Sequence, residues 1–383
     1  MIVFEKYLGV SGGHEHTQMN AIHSLTPERE KIYVTGTDFS PLASDQCRIA
    51  NILSTRKDHK HRPEWSVKHD ADAIRRLVSE RYGDRWPPIV VPTVGAHDFL
   101  VFLNVVAQAP DHFKVSFRVL EERHILDLSN DERRQVSVLV ENGKFVLVTE
   151  TSNLSEHLSR CYGLKSDDCL MLPGIMSLDS DQESLEPGRS ARHLRVGCLG
   201  GFRKEKGGFI LPNIIHQLSN ALNGHPLEKR VEFLMQQPPV KMRKRYIRYH
   251  SKFLRLRTTT FISGALSIRT LPLAMDAAAF RMAMAEVDVL LLPYDGLAYS
   301  NRGSGIVIDG VCARKPFVHT ATMKMSDLLD HGNAEPCDGS ITDYVGKTLK
   351  VLSHLDQYDD PTREAAKSLR HHFQRSRDFL LSL

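Results

Sequence analysis

Short β-branched runs alternate with helix-length amphipathic segments along this chain, and they do so twice, on either side of one polar break. Strands separated by helices pair in parallel, because a parallel neighbour requires a crossover long enough to hold a helix. In the first half the expected strands are Ile2–Glu5, Lys31–Thr35, Ile89–Pro92, Lys114–Val119, Phe145–Thr149 and Cys169–Pro173. A helix is expected over Asp72–Tyr82, where Ile74, Leu77 and Val78 share a face and Gly83 supplies the C-terminal cap. The stretch Ser177–His193, SLDSDQESLEPGRSARH, is poor in large apolar residues and reads as a linker. Strands then resume at Arg195–Gly200, Val231–Gln236, Thr259–Ser263, Val287–Pro293 and Phe317–Thr320. A last helix begins at Pro361 with Ala366, Leu369, Phe373 and Leu380 on one face. The fold class expected is α/β, with two Rossmann-like domains facing each other across a cleft. The domains are 1–176, a linker 177–193, 194–360, and a helix 361–383 that crosses back to the first domain.

Length agrees, since 383 residues exceed one ordinary core and suit two. No run approaches the eighteen apolar residues of a membrane span, and the first residues lack a basic region followed by an apolar one. The six cysteines, Cys47, Cys161, Cys169, Cys198, Cys312 and Cys337, are scattered, which suits reduced thiols better than a disulfide frame or a zinc site. A cytoplasmic protein is the expectation. A formal charge of +4 is too small to argue for a nucleic-acid partner.

Three loops place small residues where a strand meets a helix. The first is Gly9-Val10-Ser11-Gly12-Gly13-His14, where glycines admit an anion to the backbone N–H groups, or simply make a tight turn. The second is Gly200-Gly201-Phe202-Arg203-Lys204-Glu205-Lys206-Gly207-Gly208, whose cations among glycines suit a diphosphate better than a plain solvated turn. The third runs from Leu290-Leu291-Leu292-Pro293-Tyr294-Asp295 to Asn301-Arg302-Gly303-Ser304-Gly305-Ile306 and Asp309. There Ser304 is placed to cap a helix whose free N–H groups point outward. Asp309 is near enough to that helix start to meet vicinal ribose hydroxyls, or to act as a dipole partner alone.

Taken together these loops resemble the donor-binding domain of GT-B glycosyltransferases, in the retaining group that carries a Glu-x7-Glu signature (glycosyl transferases group 1). The resemblance is specific over about Arg195–Val318 and weaker from Met1 to Gly174. It implies that Arg203 and Lys206 bind the donor diphosphate and that backbone N–H groups of Ser304, Gly305 and Ile306 hold phosphate oxygens. It further implies that Asp309 stands for the second carboxylate, on the ribose. Tyr294, Asn301 and Arg302 line the donor site, with Gly12, Gly13 and His14 forming the glycine-rich first loop. His97, which follows an expected first-half strand, is placed against the donor sugar. The resemblance departs at two points: Asn301 occupies the first carboxylate position, and Gly201 the usual arginine position. Its enzymes transfer a sugar with retention and need no metal or other cofactor beyond the nucleotide-sugar substrate. The acceptor is left open. Two alternatives stand beside transfer: a nucleotide-sugar 2-epimerase, and a binding subunit that no longer turns over.

Two further groups are weighed. His14 and His16 flank Glu15, but side chains two apart on a helix diverge, so no metal site is expected there. Lys241–Arg257 carries eight Lys or Arg with Met242, Tyr246, Tyr249, Phe253 and Leu256 at four-three spacing. A solvated crossover helix accounts for this pattern. Contact with anionic lipid at the inner membrane face is the sharper reading.

Overall fold

The computed structural model describes residues 1–6, 14–36, 47–177, 193–200, 203–227, 229–237, 259–261, 265–273 and 275–383, with backbone alone at 14–16, 56–57 and 259–261. The chain divides into two compact units, Met1–Leu172 with His372–Leu383, and Pro173–His371. Both are α/β.

In the first unit β1 (Ile2–Phe4), β2 (Lys31–Thr35), β3 (Cys47–Asn51), β4 (Ile89–Val91), β5 (Val115–Val119), β6 (Phe145–Thr149) and β7 (Ser166–Asp167) form one sheet. Its order is β3-β2-β1-β4-β5-β6-β7, and every pairing is parallel. Helices cover both faces, so β5 is buried at all five residues. Rings make the centre of this core: Phe117 lies 4.7 Å from Phe99 and 4.8 Å from Phe145, centroid to centroid. The strand order reverses between β1 and β4, which leaves a crevice beyond their carboxyl ends.

The second unit repeats the plan with β8 (His193–Cys198), β9 (Arg230–Gln236), β10 (Thr259–Phe261), β11 (Leu266–Leu271), β12 (Val289–Leu292), β13 (Phe317–Thr320) and β14 (Ala334–Cys337). The order is β10-β11-β9-β8-β12-β13-β14, with β10 antiparallel to β11 and the remaining pairs parallel. Here the reversal falls between β8 and β12. β12 is Val-Leu-Leu-Leu and wholly buried, as a central strand covered on both faces must be.

The differences from the sequence expectation concern sheet edges, helix starts and one interior strand, β11, which pairs with both β9 and β10 and was not expected. β3 buries only Cys47 of five residues, so it carries no apolar pattern to read. β14 holds Pro336, tolerable because an edge strand can spare a ladder donor. Cys169–Pro173 is not a strand, although Leu170 N–H still reaches the Thr149 carbonyl at 3.2 Å. The long helix starts at Pro63, nine residues before Asp72, with proline in its first turn, and it closes at Gly83, whose φ is +57°. The final helix is Asp359–Ser382. From His372 onward it belongs to the first unit, where the Ser376 hydroxyl donates to the Met171 carbonyl and accepts from the Met171 N–H. Of the expected linker only Ser177 and His193 are described, and Lys241–Arg257 lies outside the described residues. No helix among the described residues is long and apolar enough to cross a membrane.

Candidate functional site

At the reversal between β8 and β12, two of the three glycine-bearing loops meet. Gly200 closes β8 with φ at +94°, and a Cβ there would stand 2.5 Å from Ile306 Cγ1 and 2.7 Å from Lys206 Nζ. Only glycine lets this backbone pass between the lysine and the helix start. The chain then makes a 3-10 turn over Lys204–Lys206 and ends it at Gly207, with φ at +75° and no room for a side chain against the Pro293 carbonyl. Asp295 N–H adds a bond of 2.9 Å to the Glu205 carbonyl, fastening the loop to the end of β12.

Lys206 is thereby tucked in rather than waving in solvent. Its ammonium donates to the Gly200 carbonyl at 2.8 Å and lies 5.4 Å from the centroid of the Tyr294 ring. Burial, then the charges of Arg203 and Arg302, lowers its pKa to about 7. Three cations thus lie close enough to repel one another, with Glu205 as a partial counter-charge, and an anion bound here is favoured. Arg302 stacks over Tyr299 at 5.4 Å, and the Tyr299 and Tyr294 rings lie 4.4 Å apart. Arg203 is exposed and pairs with Glu205 at 3.3 Å.

The helix Gly305–Cys312 opens onto the same place. Ser304 occupies its N-cap position, but its hydroxyl makes no capping bond, which corrects the role expected of it. Instead the Ser304 and Tyr294 hydroxyls are both buried and lie against each other. Burial, reinforced by Tyr299, pushes the Tyr294 pKa up, against a smaller opposing pull from Ser304. Gly305 and Ile306 stand in the first turn, where backbone N–H groups lack intrahelical acceptors. Asn301 and Arg302 are half-buried just before it.

Asp309 differs from the open carboxylate that the sequence suggests. It is 4% exposed, and Oδ1 accepts the Met176 N–H at 2.8 Å. Burial drives its pKa up to about 7, although the Met176 and Ile175 N–H groups pull the other way. Gly174 packs so closely against it that no side chain fits between. The carboxylate therefore anchors the turn Ile175–Ser177 within the second unit.

His97 lies in the first unit, on the first turn of Ala96–Val106 after β4. Its neighbour Asp98 folds back to accept the Gly95 N–H at 2.7 Å and pairs with buried Lys6 at 2.5 Å, so the turn is rigidly set. His97 is no lone histidine. Nε2 sits 3.1 Å from Asp70 Oδ2, and the His59 ring stacks on its own at 4.1 Å. Ser54 completes the group, giving its N–H to Asp70 Oδ1 at 2.6 Å and its hydroxyl to Oδ2 at 2.9 Å. Burial favours the protonated acid, but the bonds from His59, His97 and Ser54 outweigh it and hold the Asp70 carboxyl far below its usual range. Gly12 and Gly13 lie outside the described residues, as does the side chain of His14, whose backbone begins the helix His14–Leu25.

Sequence reasoning missed Ser54, His59 and Asp70. A signal existed: Asp70 stands four residues before Ile74 and eight before Val78, on the apolar stripe of Pro63–Tyr82. It also missed Arg118, fully buried on β5, which donates to the Leu170 and Pro92 carbonyls at 3.0 and 3.3 Å and pairs with Glu150. Arg118 ties together the carboxyl ends of β4, β5 and β6.

Two Rossmann-like units, each with its crevice at the carboxyl ends of the strands between which the order reverses, define the GT-B fold. The whole chain is similar to a glycosyltransferase from Rickettsia africae, at 12% identity and a TM-score of 0.68, over 100% of this chain and 95% of that one. It is also similar to a trehalose-6-phosphate structure from E. coli bound with UDP-2-fluoro glucose, at 10% identity and a TM-score of 0.66, over 100% and 98% of the two chains. WaaG, a glycosyltransferase involved in lipopolysaccharide biosynthesis, matches at 13% identity and a TM-score of 0.59, covering 99% of each chain. No protein-family model matches the sequence, and the comparison with curated proteins found no match.

Proposed function

We propose that this protein is a glycosyltransferase that moves a sugar from a nucleoside-diphosphate donor to an acceptor hydroxyl, with retention of configuration. The observation that carries the reading is the cluster of Lys206, Arg203 and Arg302 at the carboxyl ends of β8 and β12. It faces the opening turn of Gly305–Cys312. A diphosphate supplies the charge that this cluster calls for. Lys206 and the two arginines take its oxygens as charged hydrogen-bond donors, and the N–H groups of Gly305 and Ile306 take others, while that of Ser304, expected to join them, donates to Met325 Sδ at 3.2 Å. As the bond from sugar to phosphate breaks, negative charge grows on the leaving diphosphate, and the same fixed groups stabilise it. The buried Ser304 hydroxyl, against that of Tyr294, is a further donor beside that helix start. Asp309 receives a ribose hydroxyl on the carboxylate that also holds Met176. The solved neighbour bound with UDP-2-fluoro glucose supports a nucleotide sugar as donor.

A thermal-shift panel of UDP, GDP, ADP and dTDP, followed by their sugars, tests the reading. One nucleotide should raise the melting temperature well above the others, and its sugar should release free nucleoside diphosphate when an acceptor is supplied. Stabilisation by none of them would sink the proposal, and binding without release would leave only a binding subunit.

A further inference from the structure

We propose that His59, Asp70 and His97 of the first unit form a binding site for one divalent transition-metal ion, with Zn²⁺ as the best-matched occupant. These three side chains offer ligand atoms that all lie within 4.8 Å of one another. His97 Nε2 is 3.1 Å from Asp70 Oδ2, and His59 Nε2 is 3.7 Å from the same oxygen. A tetrahedral zinc ion with bonds of about 2.0–2.2 Å spaces its donors about 3.3–3.5 Å apart, midway between these two distances.

The donor set is the second argument. Two imidazole nitrogens and one carboxylate oxygen suit zinc and its neighbours in the first transition row, and they leave a fourth position for water. The two imidazole rings stack 4.1 Å apart, with His97 Nε2 against Asp70 Oδ2 and His59 Nε2 2.9 Å from Ser54 Oγ, contacts that a bound ion would replace. The carboxylate is held in position by Ser54, which bonds to both of its oxygens. Such outer partners fix a ligand's direction before the metal arrives.

Placement is the third. The ligands come from three elements, the helix Arg56–His61 after β3, the long helix Pro63–Tyr82, and the first turn of Ala96–Val106 after β4. Asp70 is fully buried, while the side chains of His59 and His97 keep 11% and 15% of their surface open. An ion enters over the imidazoles and finds the carboxylate beneath them. All three ligands lie in the first unit, outside the cation cluster of the second, so zinc binding is read by itself even though His97 is also the residue that the resemblance sets against the donor sugar.

The test is zinc titration of the full chain, stripped with a chelator and desalted, against a competing fluorescent zinc indicator. One zinc per chain should bind, the melting temperature should rise by several degrees, and Co²⁺ in its place should show the visible absorption of a tetrahedral site. His59→Ala and His97→Ala should each lower zinc affinity by about 100-fold or more, and Ser54→Ala by about tenfold. Asp70→Asn risks the fold because of its burial, so His59→Ala, with a circular dichroism spectrum matching the parent, is the deciding variant. Exposed His216→Ala is the control and should bind as the parent does. No stoichiometric zinc in the parent, or affinity in His59→Ala and His97→Ala equal to that of His216→Ala, overturns the site and leaves a hydrogen-bonded carboxylate only.

Discussion

Lys206 and Asp309 show how much burial decides at single residues. A lysine whose pKa is near 7 when folded and 10.5 when unfolded binds fewer protons in the native state across that window. Its contribution to stability therefore grows as pH rises from about 7 to about 10. An anionic ligand reverses the preference by favouring the ammonium, so nucleoside-diphosphate binding should take up a proton. We expect affinity to fall between pH 7 and 9, by up to about tenfold per pH unit, with proton uptake visible in calorimetry across buffers of different ionisation heat. Lys206→Ala should abolish that slope and, like Arg203→Ala and Arg302→Ala, weaken binding by roughly 1.5–3 kcal/mol. A flat profile in the parent would remove Lys206 from the phosphates. Asp309 has the opposite sign. Its pKa is raised from 3.8 to about 7, so the native state holds the extra proton and stability declines as pH rises from about 4 to about 7. Asparagine keeps an acceptor for Met176 without the charge. Urea unfolding at pH 5 and pH 8 should show Asp309→Asn losing less stability than the parent over that interval. The same variant should bind ribonucleotides less well, with a smaller loss for 2′,3′-dideoxy analogues. Equal losses would confine the carboxylate to its turn.

Among the elements, the central strands and the edges followed different rules. β5 and β12 are buried on both faces, and the Val-Leu-Leu-Leu run of β12 and the Val, Phe and Val of β5, around buried Ser116 and Arg118, were plain in the sequence as strands. β3, with one buried residue of five, and β14, with its proline, are held by a single neighbouring strand and left no such trace. Phe117 on β5 touches Phe99, Phe102 and Phe145, which makes it the ring on which the first core turns. Phe117→Ala should cost about 3–5 kcal/mol, read from chemical denaturation followed in the first unit, because the cavity cannot close against flat rings. A loss below about 1 kcal/mol would mean the neighbours collapse into the space.

For the whole molecule, the terminal helix is the test of how the two units are made. Its first half belongs to the second unit, while residues from His372 join the first. There Leu380 is fully buried, Arg375 pairs with Asp168 at 2.9 Å, and Arg29 donates to the Leu380 carbonyl at 3.0 Å. Truncation after Tyr358 should therefore destabilise the first unit, lowering its melting transition, although residues 1–172 are untouched. An unchanged transition would show that the first unit is complete without its last helix. The alternation of strands and helices, the two halves and the glycine-and-cation loop of residues 200–208 were all determined by local sequence, because periodicity and backbone freedom are local properties. Two things only the tertiary structure decided. One is that Gly200, Lys206, Tyr294 and Ile306 converge, since a reversal of strand order brings together residues nearly a hundred positions apart. The other is the company of His97, whose partners Ser54, His59 and Asp70 lie on separate elements and meet only when three helical segments pack beyond one sheet.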